Sequence, residues 1–349
     1  MWIGLDVHKC SVYITEMKED GNISEQYEIE NKDESWNAFR DRYLEVRPEI
    51  ALEVSTTGKY VARLLRDMGF HVHIADPVKL SLIFNTTKKN DREDSYKLAK
   101  LLRLGELPEV HLPSRESDDL RSLVRYRKSI GEEMTMIKNR THALLSRYGI
   151  TVEASDIFGR GGIREIEKRS EKLSESDRYI LSDMLLRVSN LKDRGSITED
   201  QISRKCENNK DVSLLMTIPG IDYYLASLLS SFIGDVNRFP DESKLASFFG
   251  IVPANRDSSS IKRRGHMSKD GAGTARWALS MSVDTVKIRN KAIGQYYERQ
   301  KNRTESGKLA HVLTMRKLVR MMYFMLKNRK EWKYNDPALT ESKLSRLDD

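Results

Sequence analysis

At 349 residues, with 39% hydrophobic and 32% charged residues and a net charge of +8, the chain is long enough for two or three units with real cores and a wide wet surface. Two cysteines far apart, Cys10 and Cys206, match no metal-ligand spacing and exclude a disulfide framework, which predicts a reducing compartment. Asp6, His8 and Lys9 stand where a signal peptide would need its apolar stretch, and the most apolar late run, 318–326, carries Arg320, so a soluble, cytoplasmic protein with no membrane partner is expected.

The charge is unevenly spread. Residues 1–110 carry 16 Lys and Arg against 20 Asp and Glu, whereas residues 211–349 carry 24 against 15. The acidic end cannot attract a phosphate backbone by itself; the basic end can. A carboxylate-bearing module joined to a polyanion-binding one is the expected plan.

From the start of the chain, Trp2 to Val7 alternates so that Ile3, Leu5 and Val7 share one strand face and Gly4 and Asp6 the other. Residues 10–17 read as a second strand, and Asp20-Gly21-Asn22 is a hairpin signal leading into a third. A helix is predicted over 34–45, a short buried strand over 49–54, a helix through Met68 and another strand over 70–75 ending at Asp76-Pro77. Three strands in a meander followed by alternating helix and strand is the order of an α/β ribonuclease-H/RuvC-like fold.

Four carboxylates fall where that fold would use them: Asp6 on the first strand, Glu53 at the end of the later one, and Asp91 and Asp94 opening the helix DREDSYKLAKLL. Spacing of three puts Asp91 and Asp94 on one helical face, which continues through Leu98 and Leu101 and so turns inward. A helix-start cap explains one of these acids but not all four. Clustered carboxylates repel unless a cation neutralises them, and two Mg²⁺ ions on a scissile phosphate are the usual solution. Glu93, on another face, is read as solvated, and His8, His71 and His73 as structural histidines.

GLDVHKCSVYITEMKEDGNI, LEVSTTGKYVARLL and KKNDREDSYKLAKLL resemble the N-terminal DEDD RuvC-like domain of the IS110 family of insertion-sequence transposases, relatives of the pilin-gene invertase. The likeness runs almost unbroken over residues 1–150. It implies a metal-binding catalytic domain over 1–112 with Asp6, Glu53, Asp91 and Asp94 as its ligands.

Residues 113–210 are predicted helical, with Leu120, Val124, Ile130, Ile137, Leu144 and Leu145 recurring at helical spacing, a break at 159–162 and a resumption over 180–191. Such a narrow apolar seam either self-associates or packs back on its own chain. The family resemblance implies a coiled coil, and with it a homo-dimer or tetramer.

Residues 211–335 form a second block. Pro219-Gly220 between apolar residues, followed by a helix with Leu225 and Leu229, reads as a helix-hairpin-helix whose turn at Gly220 can cradle a phosphate. After the turn signal of Gly250 and Pro253, the hydroxyls of Ser258, Ser259 and Ser260 are expected on an exposed loop beside Lys262, Arg263 and Arg264. A hydroxyl among cations suits a nucleophile meeting a phosphate. Residues 256–333 hold 20 Lys and Arg against 6 acids, with Trp277, Tyr296, Tyr297 and Trp332 interspersed, a mixture suited to phosphate neutralisation and base stacking. The last residues, 336–349, read as a disordered tail.

This second block is similar to the C-terminal Tnp domain of the same family, in which a proline-containing turn leads to a catalytic serine and a Ser-Lys-x-Gly segment and an arginine follow. Ser268-Lys269-Asp270-Gly271 and Arg276 stand at those positions. Counting from Gly250 and Pro253 makes Ser258 the nucleophile, and a slip of one residue makes it Ser259. The family has glycine after its serine and this chain does not. The resemblance implies a mobile element's DNA transposase working through a phosphoserine intermediate, with donor and target DNA as partners, a noncoding bridge RNA as guide, and a prokaryotic, nucleoid-associated setting. A RuvC-like endonuclease using water as nucleophile, and a non-catalytic nucleic-acid-binding protein, stay open as alternatives.

Overall fold

The computed structural model describes residues 1–83, 90–258, 261–267, 271–333 and 336–348; for 253–266 and 346–348 only the backbone is described. The chain divides into two compact units, Met1–Pro113 and Ser114–Asp349.

In the first unit, β1 (Trp2–Val7), β2 (Ser11–Met17) and β3 (Ile23–Glu30) form an antiparallel meander. After α1 (Asp33–Tyr43) come β4 (Glu49–Glu53), α2 (Thr56–Asp67) and β5 (His71–Ala75), with β1, β4 and β5 parallel. The sheet order is β3-β2-β1-β4-β5, so the meander-then-alternation order expected from sequence is the order observed. Alternation sets the layers: Ile3, Leu5, Ile50 and Leu52 pack with Trp36, Phe39, Val61 and Leu65 of α1 and α2 on one face. On the other face Ala51 and Ala75 meet Leu98 and Leu102 of α4 (Asp91–Leu104). A short helix, α3 (Pro77–Ile83), starts where the sequence reading placed only a strand end; Asp76 accepts from the Val78 amide at its N-terminus.

At the edge of this sheet His73 lies between Glu49 (Nε2 to Oε2, 2.8 Å) and Glu109 (Nδ1 to Oε1, 2.8 Å). Burial lowers its pKa, but the two carboxylates outweigh burial and raise it overall. Its stabilising contribution is therefore full below the unfolded histidine value, about 6.5, and fades as pH rises through the higher folded value. Stability of the wild type should fall as pH rises from about 6.5 through the higher folded value, by less than about 1 kcal/mol, the scale of a partly exposed pair, and His73→Gln should lack that component in pH-resolved thermal melts.

Among the described residues the second unit is helical apart from one hairpin. The α5 helix (Arg115–Arg147) and α7 (Glu175–Cys206) run antiparallel, as shown by Thr141 meeting Met184 while Arg127 meets Glu199 and Lys205 meets Asp119. Their seam of Ile130, Ile137, Leu144, Leu181, Met184 and Val188 is closed within one chain, together with Ile166 of α6 (Arg160–Arg169). Gly161 and Gly162, read as a break, lie inside α6. Leu120, Val124, Ile202 and Cys206 at the other end of the pair join a core with α8 (Lys210–Met216), α9 (Tyr223–Ile233), α10 (Glu242–Phe248), α11 (Gly273–Arg289), α12 (Lys291–Thr304) and α13 (Gly307–Asn328). The expected linker is thus no separate body, because its apolar stripe ends in the core of the following helices.

The expected disordered tail is instead a helix, α14 (Pro337–Asp348). Asp336 accepts from the Leu339 amide, Pro337 takes the first helical position, and Leu344 packs on the core, so a charged composition hides a capped, anchored helix. Among the described residues no helix is long and apolar enough to cross a membrane.

Candidate active site

Register builds the acidic site. Leu5 pairs with Leu52 across parallel β1 and β4, so the next residues, Asp6 and Glu53, emerge side by side at the strand ends. The face of β1 carrying Asp6 also carries Gly4, and there α4 touches the strand: a Cβ at Gly4 would lie 1.9 Å from the Ser95 carbonyl oxygen and 2.6 Å from the Ala99 nitrogen. Ser95 is tied to Thr15 of β2 by a 2.7 Å hydrogen bond between their buried hydroxyls, and Gln26 of β3 donates to Thr15 at 2.8 Å. The α4 N-terminus, capped by Asn90 accepting from the Arg92 amide, is thereby held over the end of β1. Gly4→Val should unseat α4 and cost about 3 kcal/mol or more, measured by urea unfolding of the first unit, because backbone cannot yield as a side-chain tip can.

Asp6 and Asp91 meet there with a third residue. His8 Nε2 stands 3.3 Å from an oxygen of Asp6 and 3.3 Å from one of Asp91, and donor atoms of the three lie within 4.8 Å of one another. Burial, foremost, and the charges of Asp91 and Asp94 push the Asp6 carboxyl above its ordinary range, against the pull of His8. Asp94 is engaged by Lys97, a buried lysine, at 2.9 Å. Glu53 comes half-buried to the same strand end without joining the three-residue group, and Glu93 is exposed. Sequence reasoning missed His8; the signal was its position two residues after Asp6, on the same side of an extended strand. Two carboxylates and an imidazole with a raised carboxyl pKa fit a divalent cation, since hard oxygens and a nitrogen converge and the cation removes the repulsion.

The serine segment belongs to the second unit. It is a hairpin rather than a loop: β6 (Pro253–Ser258) pairs antiparallel with β7 (Ile261–Met267), and Ser258, the last residue of β6, faces Ile261. No apolar alternation marks these strands, so backbone pairing escaped a reading based on side chains. Lys262, Arg263 and Arg264 lie on β7 opposite Asp257, Arg256 and Asn255. Ser259 and Lys269 lie outside the described residues. Arg276, in the first turn of α11, donates to the Phe249 carbonyl at 3.1 Å and ties α11 to the end of α10.

Gly220 sits in the turn between α8 and α9 at φ +95°, where a Cβ would come within 2.9 Å of the α11 backbone at Thr285 and Val286. Thr285 Oγ1 donates to its carbonyl at 2.7 Å. Close packing thus accounts for glycine here. Around α11 to α13, cations stand over aromatic rings: Lys128 over Trp277 at 5.2 Å, Lys287 over Tyr297 at 4.9 Å and Lys317 over Tyr296 at 4.4 Å. Trp277 and Phe324 are exposed, while Tyr323 is buried and donates to the Phe239 and Pro240 carbonyls.

A sheet with an acidic group at its strand ends, joined to a basic helical unit, is the plan of a nucleic-acid-processing protein, and sequence comparison identifies the class as transposase. Residues 3–150 match the DEDD transposase domain of IS110 elements, and residues 212–298 match the transposase domain described for the IS116/IS110/IS902 family. The chain belongs to this IS110/IS116/IS902 family. It is 22% identical over 231 residues to the transposase for insertion sequence element IS1111A of Coxiella burnetii, an alignment covering 62% of each chain. It is 22% identical over 286 residues to the putative transposase y4qE of Sinorhizobium fredii, covering 80% of this chain and 70% of that one. The pilin gene-inverting protein of Moraxella lacunata is 30% identical over 126 residues, covering 36% of this chain and 39% of that protein.

Proposed function

We propose that this chain is a mobile element's DNA transposase and site-specific recombinase, cutting and rejoining donor and target DNA through a phosphoserine intermediate. In this reading the Ser258 hydroxyl attacks a backbone phosphorus, one P–O bond to a deoxyribose oxygen breaks, and the freed DNA hydroxyl keeps the proton that the serine gives up. A hydroxyl from another strand then attacks the phosphoserine and releases Ser258, so bond energy is conserved and no nucleotide cofactor is consumed. Asp6 and Asp91, with their neighbours Asp94 and Glu53, would hold a divalent cation such as Mg²⁺, which would supply Lewis-acid polarisation of the phosphate. Lys262, Arg263, Arg264, Lys269 and Arg276 neutralise phosphates. A noncoding bridge RNA supplies sequence choice by base pairing, which fits a basic, aromatic-bearing surface. In this reading the chain works as a homo-dimer or tetramer.

The observation that carries the reading is the convergence of Asp6, His8 and Asp91 at the end of β1 in a chain of this family. The test is to incubate the purified protein, with its co-purifying RNA, with DNA carrying the element's ends, and to look for a Mg²⁺-dependent, detergent-resistant adduct. Peptide mapping should find the nucleotide on Ser258. A second reading, hydrolysis by water at the acidic site alone, is favoured by one fact: that group is assembled entirely within the first unit. Cleaved DNA ends with no adduct would establish it instead.

A further inference from the structure

The last three turns of α13 keep one face at the surface. Lys317, Arg320, Met321, Phe324 and Asn328 recur at helical spacing and share that face, while Leu318, Val319, Met322 and Leu326 are buried in the core. Arg329 ends the helix at φ +54°, and the Lys330 amide donates back to the Met325 carbonyl at 3.1 Å, so the chain turns back against the helix. Trp332 is pinned there: its amide donates to Thr217 Oγ1 at 3.0 Å, and the residue is only 5% exposed. Between this segment and α13 lies a pocket of about 500 Å³ walled by Met321, Phe324, Met325 and Trp332.

Three features of the pocket point to one kind of ligand. Phe324 presents a large ring to solvent, 43% exposed. The Trp332 Nε1–H is buried with no hydrogen-bond partner among the described residues, a costly state for a donor. Lys317, Arg320 and Lys330 line the same pocket with Glu331 as the acid among them, and the Arg320 guanidinium stands 5.9 Å from the Phe324 ring centroid. We infer that this pocket holds one unpaired base of an RNA strand, stacked on Phe324, with the flanking phosphates on Lys317, Arg320 and Lys330. An apolar side chain of a protein partner would fill the pocket without using the positive charge, and a duplex would meet the charge without offering a free ring face. An unpaired nucleotide does both, and its base brings acceptors to a wall that contains an unpaired donor. The volume lies within the roughly 300–1,000 Å³ of small-ligand pockets. RNA rather than DNA follows from supply: RNA loops and bulges display splayed bases, whereas donor and target DNA arrive paired. The inference rests on the RNA-guided reading above and adds the place where a base is held. Stacking tolerates every base, so the pocket positions the RNA rather than reading its sequence.

The test uses the full chain. Ultraviolet cross-linking of the protein with its co-purifying RNA, followed by digestion and mass spectrometry, should find a ribonucleotide on the peptide 321–327 or on Trp332. A deoxyribonucleotide there would make DNA the occupant and overturn the assignment. In parallel, protein freed of RNA is titrated with labelled oligouridine, a sufficient probe because stacking is sequence-tolerant, and with duplex DNA as the control. Phe324→Ala should weaken oligouridine binding about tenfold or more, the scale of one lost base–aromatic stack, and leave duplex binding unchanged. Phe324→Tyr should restore it, and Phe324→Leu, which keeps apolar bulk without a ring, should not. Lys330→Ala should lower the slope of log affinity against log salt by about 0.7, the share of one phosphate contact on a single strand. Wild-type affinity for oligouridine in Phe324→Ala, or no ribonucleotide adduct in this segment, would overturn the pocket and leave the RNA-guided reading standing. Failure of the wild type to bind oligouridine while it still binds duplex DNA would overturn both.

Discussion

Ser258→Ala is expected to give a folded protein that still binds DNA and forms no covalent adduct with it, with strand exchange reduced on the order of 10⁴-fold or more. Loss of a nucleophile removes the step itself rather than tuning it, which is why the expected effect is so large. Position 258 ends β6 and pairs through its backbone with Ile261, a pairing that does not use the side chain, so alanine costs little structure. Ser259→Ala is the informative neighbour. If Ser258 is the nucleophile, Ser259→Ala keeps the adduct; if the adduct vanishes in Ser259→Ala and persists in Ser258→Ala, the register of the assignment is off by one. Adduct in both single variants would remove this segment from the chemistry altogether. The readout is a labelled DNA end shifted on a denaturing gel, alongside DNA binding to show that the variant is intact.

The first unit was legible because one rule covers it. Alternation of Ile3, Leu5 and Val7 against Gly4 and Asp6 fixes which face of β1 meets the apolar helices, and the Asp20-Gly21-Asn22 turn fixes the meander. From those two features the β1–β2–β3 meander follows; the parallel pairing of β1 with β4, which sets Asp6 beside Glu53, is a long-range contact they do not dictate. What periodicity could not say was where the α4 N-terminus would stop along β1; that depends on a missing Cβ at Gly4 and on the Thr15 to Ser95 bond, both long-range. Hence Asp6 and Asp91 were expected together and His8 was not: it joins only because α4 stops there. In the second unit the apolar stripe of α5 was plain, but a stripe does not name its partner, and here the partner is α7 of the same chain. The β6–β7 hairpin and α14 were lost for opposite reasons. One is a pair of strands without apolar alternation; the other is a helix whose anchor, Lys343, looks like any surface lysine until its bonds to the Met216, Ile218 and Ile221 carbonyls are seen.

Asp6→Asn should separate catalysis from stability with opposite signs. Charge on Asp6 is costly in the metal-free protein, chiefly because the carboxyl is partly buried and then because Asp91 and Asp94 repel it. An amide of the same shape removes that cost, so without divalent cations the variant should melt at or above the wild-type temperature. Added Mg²⁺ should raise the melting temperature of the wild type, which binds it only when folded, and raise that of Asp6→Asn much less. Cleavage should fall by about 10²–10³-fold or more, the scale set by removing one electrostatic element from a transition state. A structural role for the acids predicts the reverse pattern: lower stability in Asp6→Asn, no response to Mg²⁺ in either protein and DNA cleavage unchanged. His8→Ala sharpens the comparison, since it leaves both carboxylates of the pair in place while deleting the group 3.3 Å from each. With the imidazole bridging the two acids and offering a ligand, His8→Ala should lower metal-free stability, the opposite of Asp6→Asn, while the gain from Mg²⁺ shrinks in both variants.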